Sequence, residues 1–374
     1  MNGAVKGRRY LLAGGGTSGH VNPALAIADQ LKKDDPTADI RFCGTARGIE
    51  QDIIPRAGYP FQAIRARGLP RRLSPDLFRA LADFWAGRRQ CRQLMREFCP
   101  DVVIGTGGYV CSPVVAAAAS LHIPVLLHEQ NAFPGRSNRL MARRSQMVCV
   151  SFPGTEHWFH TKAPIILTGN PVRSLFFELD RQEARKTLNL DPDERIVLAM
   201  GGSLGARSIN QAVLGLSPWL DDLTQWAGGP PTVYLAAGSR QYAEIASSGR
   251  GKDWLQVRDY IHDIQLYMAA ADLLVCRAGA ITCSELAALG RPAVMVPYPY
   301  AAGDHQTYNA RVFADAGAAI LCPDAQLQPA WLAQTLHDLL LQPDRLQEMG
   351  RAAKQMARPD AVSAICRSLY GLLP

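Results

Sequence analysis

Gly14-Gly15-Gly16-Thr17-Ser18-Gly19-His20 stands between an apolar run, Arg9–Ala13, and a helical pattern, Pro23–Lys33. A strand, a glycine loop and a helix in this order are typical of a Rossmann-like unit. Glycines let backbone N–H groups approach an anion closely, and the helix N-terminus adds a favourable dipole. The stretch therefore predicts a phosphate-facing loop at one edge of a parallel sheet. A tight structural turn would explain the same residues.

The second half of the chain repeats this layout. Gly201-Gly202-Ser203-Leu204-Gly205-Ala206 follows a second apolar run and opens another helix. Short Val/Ile/Leu-rich runs alternate with helical patterns throughout, which predicts βαβ units and parallel sheets. The strands predicted are Arg9–Ala13, Asp39–Cys43, Phe61–Ile64, Val102–Ile104, Val125–Leu127, Met147–Val150, Ile196–Ala199, Val233–Ala236, Gln256–Asp259, Leu273–Val275 and Ala293–Val296.

The length of 374 residues suits two cores better than one. Thr168-Gly169-Asn170-Pro171-Val172-Arg173 has the composition of a turn and lies between the two similar halves. We therefore predict an α/β fold of two Rossmann-like, doubly wound parallel-sheet domains, 1–168 and 169–349, facing each other across a cleft. Ligands of such sheets bind at the carboxyl ends of the strands.

Composition and charge narrow the class of protein. Residues 1–164 contain 22 Lys and Arg against 12 Asp and Glu, and residues 165–374 contain 18 against 21. A basic first half is typical of a surface that meets phosphates, although a solvated basic face is the simpler explanation. No leader precedes the first glycine loop, and no run approaches the roughly 18 apolar residues of a membrane span, which indicates a cytosolic chain. The nine cysteines contain no C-x-x-C pair, and no RNP, KH or zinc motif suggests a nucleic-acid partner.

The first loop formally spells G-x-G-x-x-G, the dinucleotide fingerprint. That fingerprint needs an acid at the end of the second strand to bind the ribose. Here the second strand ends in Cys43-Gly44-Thr45, with Asp39 at its start. A nicotinamide-dependent oxidoreductase is therefore the less favoured enzyme class.

Two later segments carry candidate sugar and nucleotide contacts. Gly279–Glu285 again follows a strand and places a carboxylate about one turn into a helix, where it can accept both hydroxyls of a ribose. A glutamate favoured there only by the helix dipole is the alternative. Asp304-His305-Gln306 follows strand Ala293–Val296, at a position that suits contacts to sugar hydroxyls.

A basic, apolar segment lies between Arg65 and Phe98, where nine arginines accompany three acids. An amphipathic segment with an aromatic residue is typical of the headgroup interface of an anionic membrane, and a stripe packed on the core is the alternative. The patch residues predicted at helical spacing, with flanking arginines, are Arg71, Arg72, Leu77, Leu81, Phe84 and Trp85.

Taken in order, these motifs resemble the MurG family, the bacterial transferases that add N-acetylglucosamine to the lipid-linked muramyl-pentapeptide. The resemblance runs from residue 15 to about residue 310. Two positions depart from the family pattern: Ser18 stands where glycine is frequent, and His305 stands where some members carry a second Gln. The matching segments are Gly15–Val21, Gly105–Val110, His128–Asn131, Gly169–Arg173, Gly201–Ala206, Arg277–Ala280 and Gln306.

The resemblance implies a GT-B fold whose C-terminal helix, 350–374, packs back on the first domain. It implies that UDP-N-acetylglucosamine is the donor and undecaprenyl-pyrophosphoryl-MurNAc-pentapeptide the acceptor, with the enzyme peripheral to the cytoplasmic side of the cell membrane. By family position, Ile261 contacts the uracil, Glu285 the ribose, and Arg173 the uridine or a phosphate. The remaining donor contacts implied are Ser203, Ala280, Ile281, Thr282, Cys283 and Ser284 for the diphosphate, and Thr17, Ser18, Gly19, Asn131 and Gln306 for the sugar.

The family's reaction inverts the anomeric carbon and needs a base for the acceptor hydroxyl. His20 is the first candidate because a neutral imidazole is available near pH 7, and a phosphate-binding or structural histidine is the alternative. Glu129 is the second candidate. No D-x-D pair accompanies the nucleotide loops, so we expect transfer without a metal or other cofactor. A glycosyltransferase of the same fold acting on diacylglycerol or another glycolipid is the nearby alternative.

Overall fold

The computed structural model describes residues 7–68, 70, 75–202, 204–222, 226 and 228–373. The chain divides into two compact units, one formed by Met1–Pro171 with Asp360–Pro374 and the other by Val172–Pro359. The division falls at Pro171, inside the turn that the sequence predicts as the hinge. No helix in the described ranges is both long enough and apolar enough to cross a bilayer.

The first unit is built on one parallel sheet. Its strands are β1 (Arg9–Ala13), β2 (Asp39–Gly44), β3 (Phe61–Ala63), β4 (Val102–Gly105), β5 (Val125–Glu129), β6 (Met147–Val150) and β7 (Ile165–Leu167). Their order is β3-β2-β1-β4-β5-β6-β7. The strand order reverses between β1 and β4, whose ends pair as Ala13 with Gly105. The loops that follow these two strands therefore lie side by side, at the point where such sheets bind ligands.

The second unit repeats this winding, again with parallel pairs only among its described strands. Its strands are β8 (Ile196–Met200), β9 (Thr232–Ala236), β10 (Leu255–Arg258), β11 (Leu273–Cys276), β12 (Ala293–Met295) and β13 (Ala319–Leu321). Their order is β10-β9-β8-β11-β12-β13, and the reversal lies between β8 and β11. The two sheets confirm the predicted doubly wound α/β class.

Helices connect the strands and cover the sheets. Among the described residues they are α1 (Ser18–Asp34), α2 (Glu50–Arg56), α3 (Pro75–Phe98), α4 (Cys111–Ser120), α5 (Arg136–Met141), α6 (Leu175–Glu178), α7 (Arg181–Thr187), α8 (Arg207–Leu214), α9 (Ser217–Leu220), α10 (Tyr242–Ser248), α11 (Ile264–Ala270), α12 (Ala280–Leu289), α13 (His305–Asp315), α14 (Pro329–Leu340), α15 (Pro343–Gln355) and α16 (Ala361–Tyr370).

The alternation of side chains along β1 shows how both faces of the first sheet are buried. Leu11 belongs to the apolar cluster of α3 and α4, which includes Met95 and Val115. Its neighbour Leu12 belongs to the opposite cluster, which includes Ile27 of α1. Both leucines are fully buried. A sheet covered on both faces exposes only its edges and strand ends, which is where the loops carry their polar residues.

The C-terminal segment corrects one prediction from the sequence. Helix α16 does pack in the first unit, where Ile365 and Leu369 join the cluster of α1 and the Tyr370 hydroxyl donates to Asp34 Oδ2 at 2.6 Å. The segment predicted to return, 350–374, begins too early. Residues up to Gln355 belong to α15 of the second unit, where Lys354 donates to the carbonyl of Ala288. Pro359 separates the two helices, because a proline disfavours helical backbone at the residue before it.

Candidate active site

His20 lies in the first turn of α1, directly after the glycine loop. Its Nδ1 is 3.1 Å from the carbonyl oxygen of Gly15 and 3.1 Å from Thr17 Oγ1. A carbonyl oxygen only accepts hydrogen bonds, so Nδ1 carries the hydrogen and donates it. In the neutral ring the lone pair is then on Nε2, the nitrogen that can accept a proton. Ser18 is the first residue of the same helix, so the departure from glycine fits ordinary helical backbone.

The loop after β4 shapes the space around the His20 ring. A Cβ on Gly107 would lie 2.7 Å from His20 Cδ2 and 3.1 Å from Nε2, and its φ of +106° is in the left-handed region that favours glycine. Thr106 Oγ1 donates to the backbone oxygen of His20 at 2.8 Å. The glycine at position 107 is therefore required for the imidazole to fit between the loops that follow β1 and β4.

Glu129, the second candidate base, ends β5 and is almost fully buried. Its Oε1 accepts hydrogen bonds from the backbone N–H and the side-chain amide of Asn131, at 3.0 and 3.1 Å. Its Oε2 accepts from the Gly135 N–H at 3.0 Å and from Asn138 Nδ2 at 2.9 Å. Four donors thus surround the carboxylate. These hydrogen bonds indicate that the Glu129 carboxylate holds the loop after β5, including Asn131, in one conformation.

His128 and Gln130 form a buried polar chain beside that loop. His128 Nε2 donates to the carbonyl of Gly169 at 3.0 Å, and Gln130 Nε2 donates to His128 Nδ1 at 2.9 Å. Burial lowers the pKa of His128 to about 4, although the bond to Gly169 acts in the opposite direction, so the ring is neutral near pH 7. The orientation of the Gln130 amide follows from the tautomer of His128.

Glu50, at the start of α2, is a buried carboxylate that the sequence analysis passed over. Its Oε2 accepts the Gly16 N–H at 3.0 Å, and its Oε1 accepts the N–H and the hydroxyl of Thr45 at 3.0 and 2.8 Å. The only signal in the sequence was an acid about thirty residues after the loop, with no apolar pattern to predict its burial. It lies under the glycine loop and fixes the backbone of Gly16.

The second unit contains the candidate nucleotide residues. Glu285 lies in the second turn of α12, a helix preceded by Gly279, which has no side chain to cap the first turn. Burial raises the pKa of Glu285 to about 7, and the charge of Arg173 acts to lower it. Glu285 and Arg173 therefore lie near enough to interact, as a shared nucleotide site requires. Ile261 is buried just before α11.

Arg277 organises the loops around the start of α12, a function that the sequence analysis did not assign. Its Nη1 donates to the carboxylate of Asp324 and, at 3.1 Å, to the carbonyl of Val296. Its Nη2 donates to Ser208 Oγ at 3.0 Å. Nearby, Asn309 Nδ2 donates to the carbonyl of Ala278 at 3.0 Å. The arginine thus ties the ends of β11 and β12 to α8.

Gln306 is the second residue of α13, and its Oε1 accepts the Tyr298 N–H at 2.9 Å. This bond directs the amide NH₂ of Gln306 away from the Tyr298 backbone, which suits donation to a sugar hydroxyl. His305 Nδ1 donates to the carbonyl of Ala302 at 2.9 Å and so helps to form the turn. Asp304 has a left-handed φ of +58°, a conformation that is costly for a residue other than glycine.

The glycine loop after β8 approaches a neighbouring backbone closely. A Cβ on Gly205, whose φ is +76°, would lie 1.9 Å from the carbonyl oxygen of Ala237. Only glycine permits this contact between the loops after β8 and β9. Ser203, predicted to bind the diphosphate from this loop, lies outside the described residues. In the described ranges, no group of three or more His, Cys, Asp or Glu side chains could hold a metal ion.

The described residues of the predicted membrane patch lie on α3 and are exposed to different degrees. Trp85 is 59% exposed and Leu81 42%, whereas Leu77 and Phe84 are partly buried. Phe78, on the same helix but not among the predicted patch residues, is 77% exposed. Arg71 and Arg72 lie outside the described residues. Further along the helix, a groove of about 660 Å³ is lined by Trp85, Arg88, Arg89, Arg92, Gln93, Arg96 and Glu97. Apolar and basic side chains thus follow one another along the same helix.

Comparison with known proteins gives matches over both units. Residues 10–150 match the glycosyltransferase family 28 N-terminal domain, and residues 196–365 match the family 28 C-terminal domain. The chain is 42% identical to the UDP-N-acetylglucosamine--N-acetylmuramyl-(pentapeptide) pyrophosphoryl-undecaprenol N-acetylglucosamine transferase of Desulforudis audaxviator, over 96% of each chain. It is 40% identical to the transferase of the same name from Desulforamulus reducens, over 98% of this chain and 99% of the relative. The crystal structure of Acinetobacter baumannii MurG superposes with a TM-score of 0.79 at 30% identity, covering 97% of this chain and 99% of that one.

Proposed function

The chain belongs to glycosyltransferase family 28 and, within it, to the MurG family, and we propose that His20 is the base of its transfer reaction. The protein is a UDP-N-acetylglucosamine-dependent hexosyltransferase of peptidoglycan synthesis. It moves N-acetylglucosamine to the 4-hydroxyl of lipid-linked N-acetylmuramyl-pentapeptide, converting lipid I to lipid II. We further propose the residue assignments given below and the binding of the protein to the cytoplasmic side of the membrane.

The donor nucleotide is assigned to the second unit. Glu285 accepts the ribose hydroxyls, and the N-terminal turn of α12 faces the diphosphate, where the helix dipole and backbone N–H groups favour negative charge. Arg173 supplies a positive charge to the same site, which its electrostatic interaction with Glu285 supports. Ile261 contacts the uracil. The diphosphate contacts proposed are Ser203, Ala280, Ile281, Thr282, Cys283 and Ser284.

Contacts to the donor sugar are assigned to Gln306 and, from the first unit, to Asn131 and the turn Thr17–Gly19. The hydrogen bond from Asn131 to Glu129 supports this assignment because it fixes the amide in a loop at the carboxyl end of β5. The assignment of Gln306 is supported by the hydrogen bond from the Tyr298 N–H to Gln306 Oε1, because this bond directs the NH₂ group away from the Tyr298 backbone. Both amides are thus held in one orientation by hydrogen bonds.

The chemical step requires one proton transfer. The acceptor hydroxyl oxygen attacks the anomeric carbon, the bond to UDP breaks, and UDP departs with the bonding electrons. His20 Nε2 takes the hydroxyl proton, which the tautomer set by the bond to Gly15 allows. Backbone N–H groups and Arg173 stabilise the charge that develops on the leaving diphosphate, and we expect no metal to be needed.

The acceptor carries a lipid tail, so the enzyme must work at a membrane. We propose that the exposed face of α3, with Phe78, Leu81 and Trp85, enters the headgroup region of an anionic membrane on its cytoplasmic side. The arginines that follow on the same helix would meet lipid phosphates. Arg71 and Arg72 remain part of this predicted patch.

The observation that carries the nucleotide assignment is the placement of Glu285 in α12 within the electrostatic reach of Arg173. Radiolabelled N-acetylglucosamine transfer from its UDP donor to a short-chain muramyl-pyrophosphoryl lipid is the decisive assay. We expect product with this acceptor and none with diacylglycerol. Transfer to diacylglycerol alone would reject the acceptor, and activity that survives removal of both Glu285 and Arg173 would reject the nucleotide site.

A further inference from the structure

We propose that Glu50 is a positioning residue for the His20 imidazole and acts on it through the peptide group between Gly15 and Gly16. The inference rests on the proposed function, in which His20 is the base. Two hydrogen bonds carry it. The Gly16 N–H donates to Glu50 Oε2 at 3.0 Å, and the Gly15 carbonyl accepts from His20 Nδ1 at 3.1 Å.

These two bonds belong to the two ends of one peptide group. The N–H and C=O of a trans peptide point in opposite directions, so Glu50 and His20 lie on opposite sides of it. A carboxylate that accepts from the N–H polarises the group and makes its carbonyl oxygen a stronger acceptor. The negative charge of Glu50 is thereby transmitted to the Nδ1–H of His20 without direct contact between the two side chains.

Glu50 remains charged in its buried position. Burial acts to raise its pKa, but the hydrogen bonds from the Gly16 and Thr45 backbone outweigh burial, and the pKa lies below its ordinary value. Among the described residues it forms no ion pair with Lys, Arg or His. Its charge is therefore stabilised by hydrogen bonds, one of which comes from the Gly16 N–H.

The charge favours the form of His20 that catalysis needs. With a polarised acceptor at Nδ1–H, the neutral ring keeps its lone pair on Nε2, and the imidazolium formed after proton transfer is stabilised. The logic is that of a histidine supported by a carboxylate, with one peptide group between them. Only one proton moves, from the acceptor hydroxyl to Nε2, and Glu50 keeps its charge throughout.

Other titratable groups near this segment are Tyr109, Cys111 and Glu129. Burial raises the pKa of Cys111 to about 12, so it is a neutral thiol near pH 7. Tyr109 is partly exposed and lies beside Gly16. The bonds of Glu129 go to its own loop. Glu50 is therefore the carboxylate that hydrogen bonds connect to His20 through the Gly15–Gly16 peptide.

The test compares Glu50→Gln with a matched control, Asp101→Asn. Asp101 also accepts a backbone N–H, that of Arg9 at 2.7 Å, at the opposite end of β1. In Glu50→Gln we expect the pKa of His20, followed by NMR of ¹⁵N-histidine protein, to fall by about one unit. The acidic limb of kcat/KM should move to lower pH by the same amount, and kcat should fall roughly tenfold with the donor KM unchanged. The control should change none of these.

A merely structural role for Glu50 would lower the rate without moving either the limb or the His20 pKa, and that result would overturn the inference. If Glu50→Gln does not fold, the wild-type spectrum decides, since a neutral His20 protonated on Nε2 contradicts the proposed chain of hydrogen bonds. The proposal that His20 is the base and the proposal that Glu50 positions it can be rejected independently. An acidic limb that persists in His20→Ala rejects His20 as the base, whereas the NMR titration of His20 still tests its link to Glu50.

Discussion

His128 donates a hydrogen bond from Nε2 to the carbonyl oxygen of Gly169 at 3.0 Å, which joins the end of β5 to the turn that leads out of the first unit. Both ring nitrogens of this histidine are engaged, and the ring is fully buried. The turn predicted as a hinge is thus anchored at Gly169 by a side chain whose protonation would remove an acceptor and introduce a buried charge.

We predict that this histidine makes the first unit sensitive to acid. Its folded pKa of about 4 lies below the ordinary value of 6.5, so the unfolded chain takes up the proton first as pH falls. Stability is then lost between about pH 6.5 and 4, by up to about 3 kcal/mol. Urea unfolding at several pH values should show a shallower pH dependence in His128→Gln. The exposed His157→Gln is the control, and equal slopes in all three proteins would contradict the prediction.

Glu285→Ala should raise the donor KM by one to two decades, roughly 1.4–3 kcal/mol, because the ribose hydroxyls lose their acceptor. The acceptor KM should change little. Calorimetric titration with UDP measures the affinity of each variant for the nucleotide directly. Glu244→Ala, an exposed change in α10, should bind UDP as the wild type does. Equal UDP affinities for Glu285→Ala and wild type would show that Glu285 does not contact the nucleotide.

UDP binding should also depend on pH. The pKa of Glu285 is raised to about 7, and the carboxylate form is the better acceptor for the ribose. Affinity for UDP should therefore increase as the pH rises through 7, and this increase should be absent in Glu285→Gln. A wild-type affinity that is flat between pH 6 and 8 would show that ionisation of this group does not accompany binding.

The predicted membrane patch and the neighbouring Phe78 should bind vesicles that contain phosphatidylglycerol or cardiolipin, with binding that weakens as salt increases. The triple change of Arg71, Arg72 and Trp85, and separately Phe78→Ser, should reduce co-sedimentation. Tyr242→Ser, which alters an exposed aromatic residue of the second unit, should have no effect. If binding does not depend on lipid charge, on salt or on these substitutions, the apolar residues of α3 serve only to pack on the core.

His20→Ala should lower kcat by about 10²–10⁴ and leave UDP binding almost unchanged. A protonated imidazole cannot accept the hydroxyl proton, so the acidic limb of kcat/KM should disappear in this variant. A phosphate-binding histidine would instead weaken substrate binding along with the rate. An unchanged limb would assign that ionisation to another group, with Glu129 the first to examine.

Most of the fold could be predicted because its central strands are buried on both faces and consist of apolar residues. Strands such as Arg9–Ala13 and Met147–Val150 have the predicted bounds. The two strands that the sequence analysis did not predict, Ile165–Leu167 and Ala319–Leu321, are short edge strands. A three-residue apolar run carries no period that separates it from a loop, so only pairing with a neighbour identifies it.

The candidate site was predicted unevenly, for a physical reason. Loops such as Gly201–Ala206 are visible in the sequence because glycine is required where backbones meet, as Gly205 meets Ala237. Glu50 was missed, and Arg277 was named only within a matching segment and given no function, because their importance depends on partners far along the chain. Charged residues are usually exposed, and nothing local indicates that either of these is held by backbone groups of distant loops.

Helix α16 is the last helix of the chain but belongs to the first unit. The first unit is therefore completed only after the whole second unit has been synthesised. The first unit needs Ile365 and Leu369 to complete one face of its sheet, yet all of Val172–Pro359 is synthesised before them. At about 5–20 residues per second, that interval is on the order of ten seconds or more. During this time the nascent first unit exposes an apolar strip beside α1, and the second unit is completed at the end of the interval, before α16 is made. Chaperone demand during translation should therefore centre on the part of the protein that leaves the ribosome first.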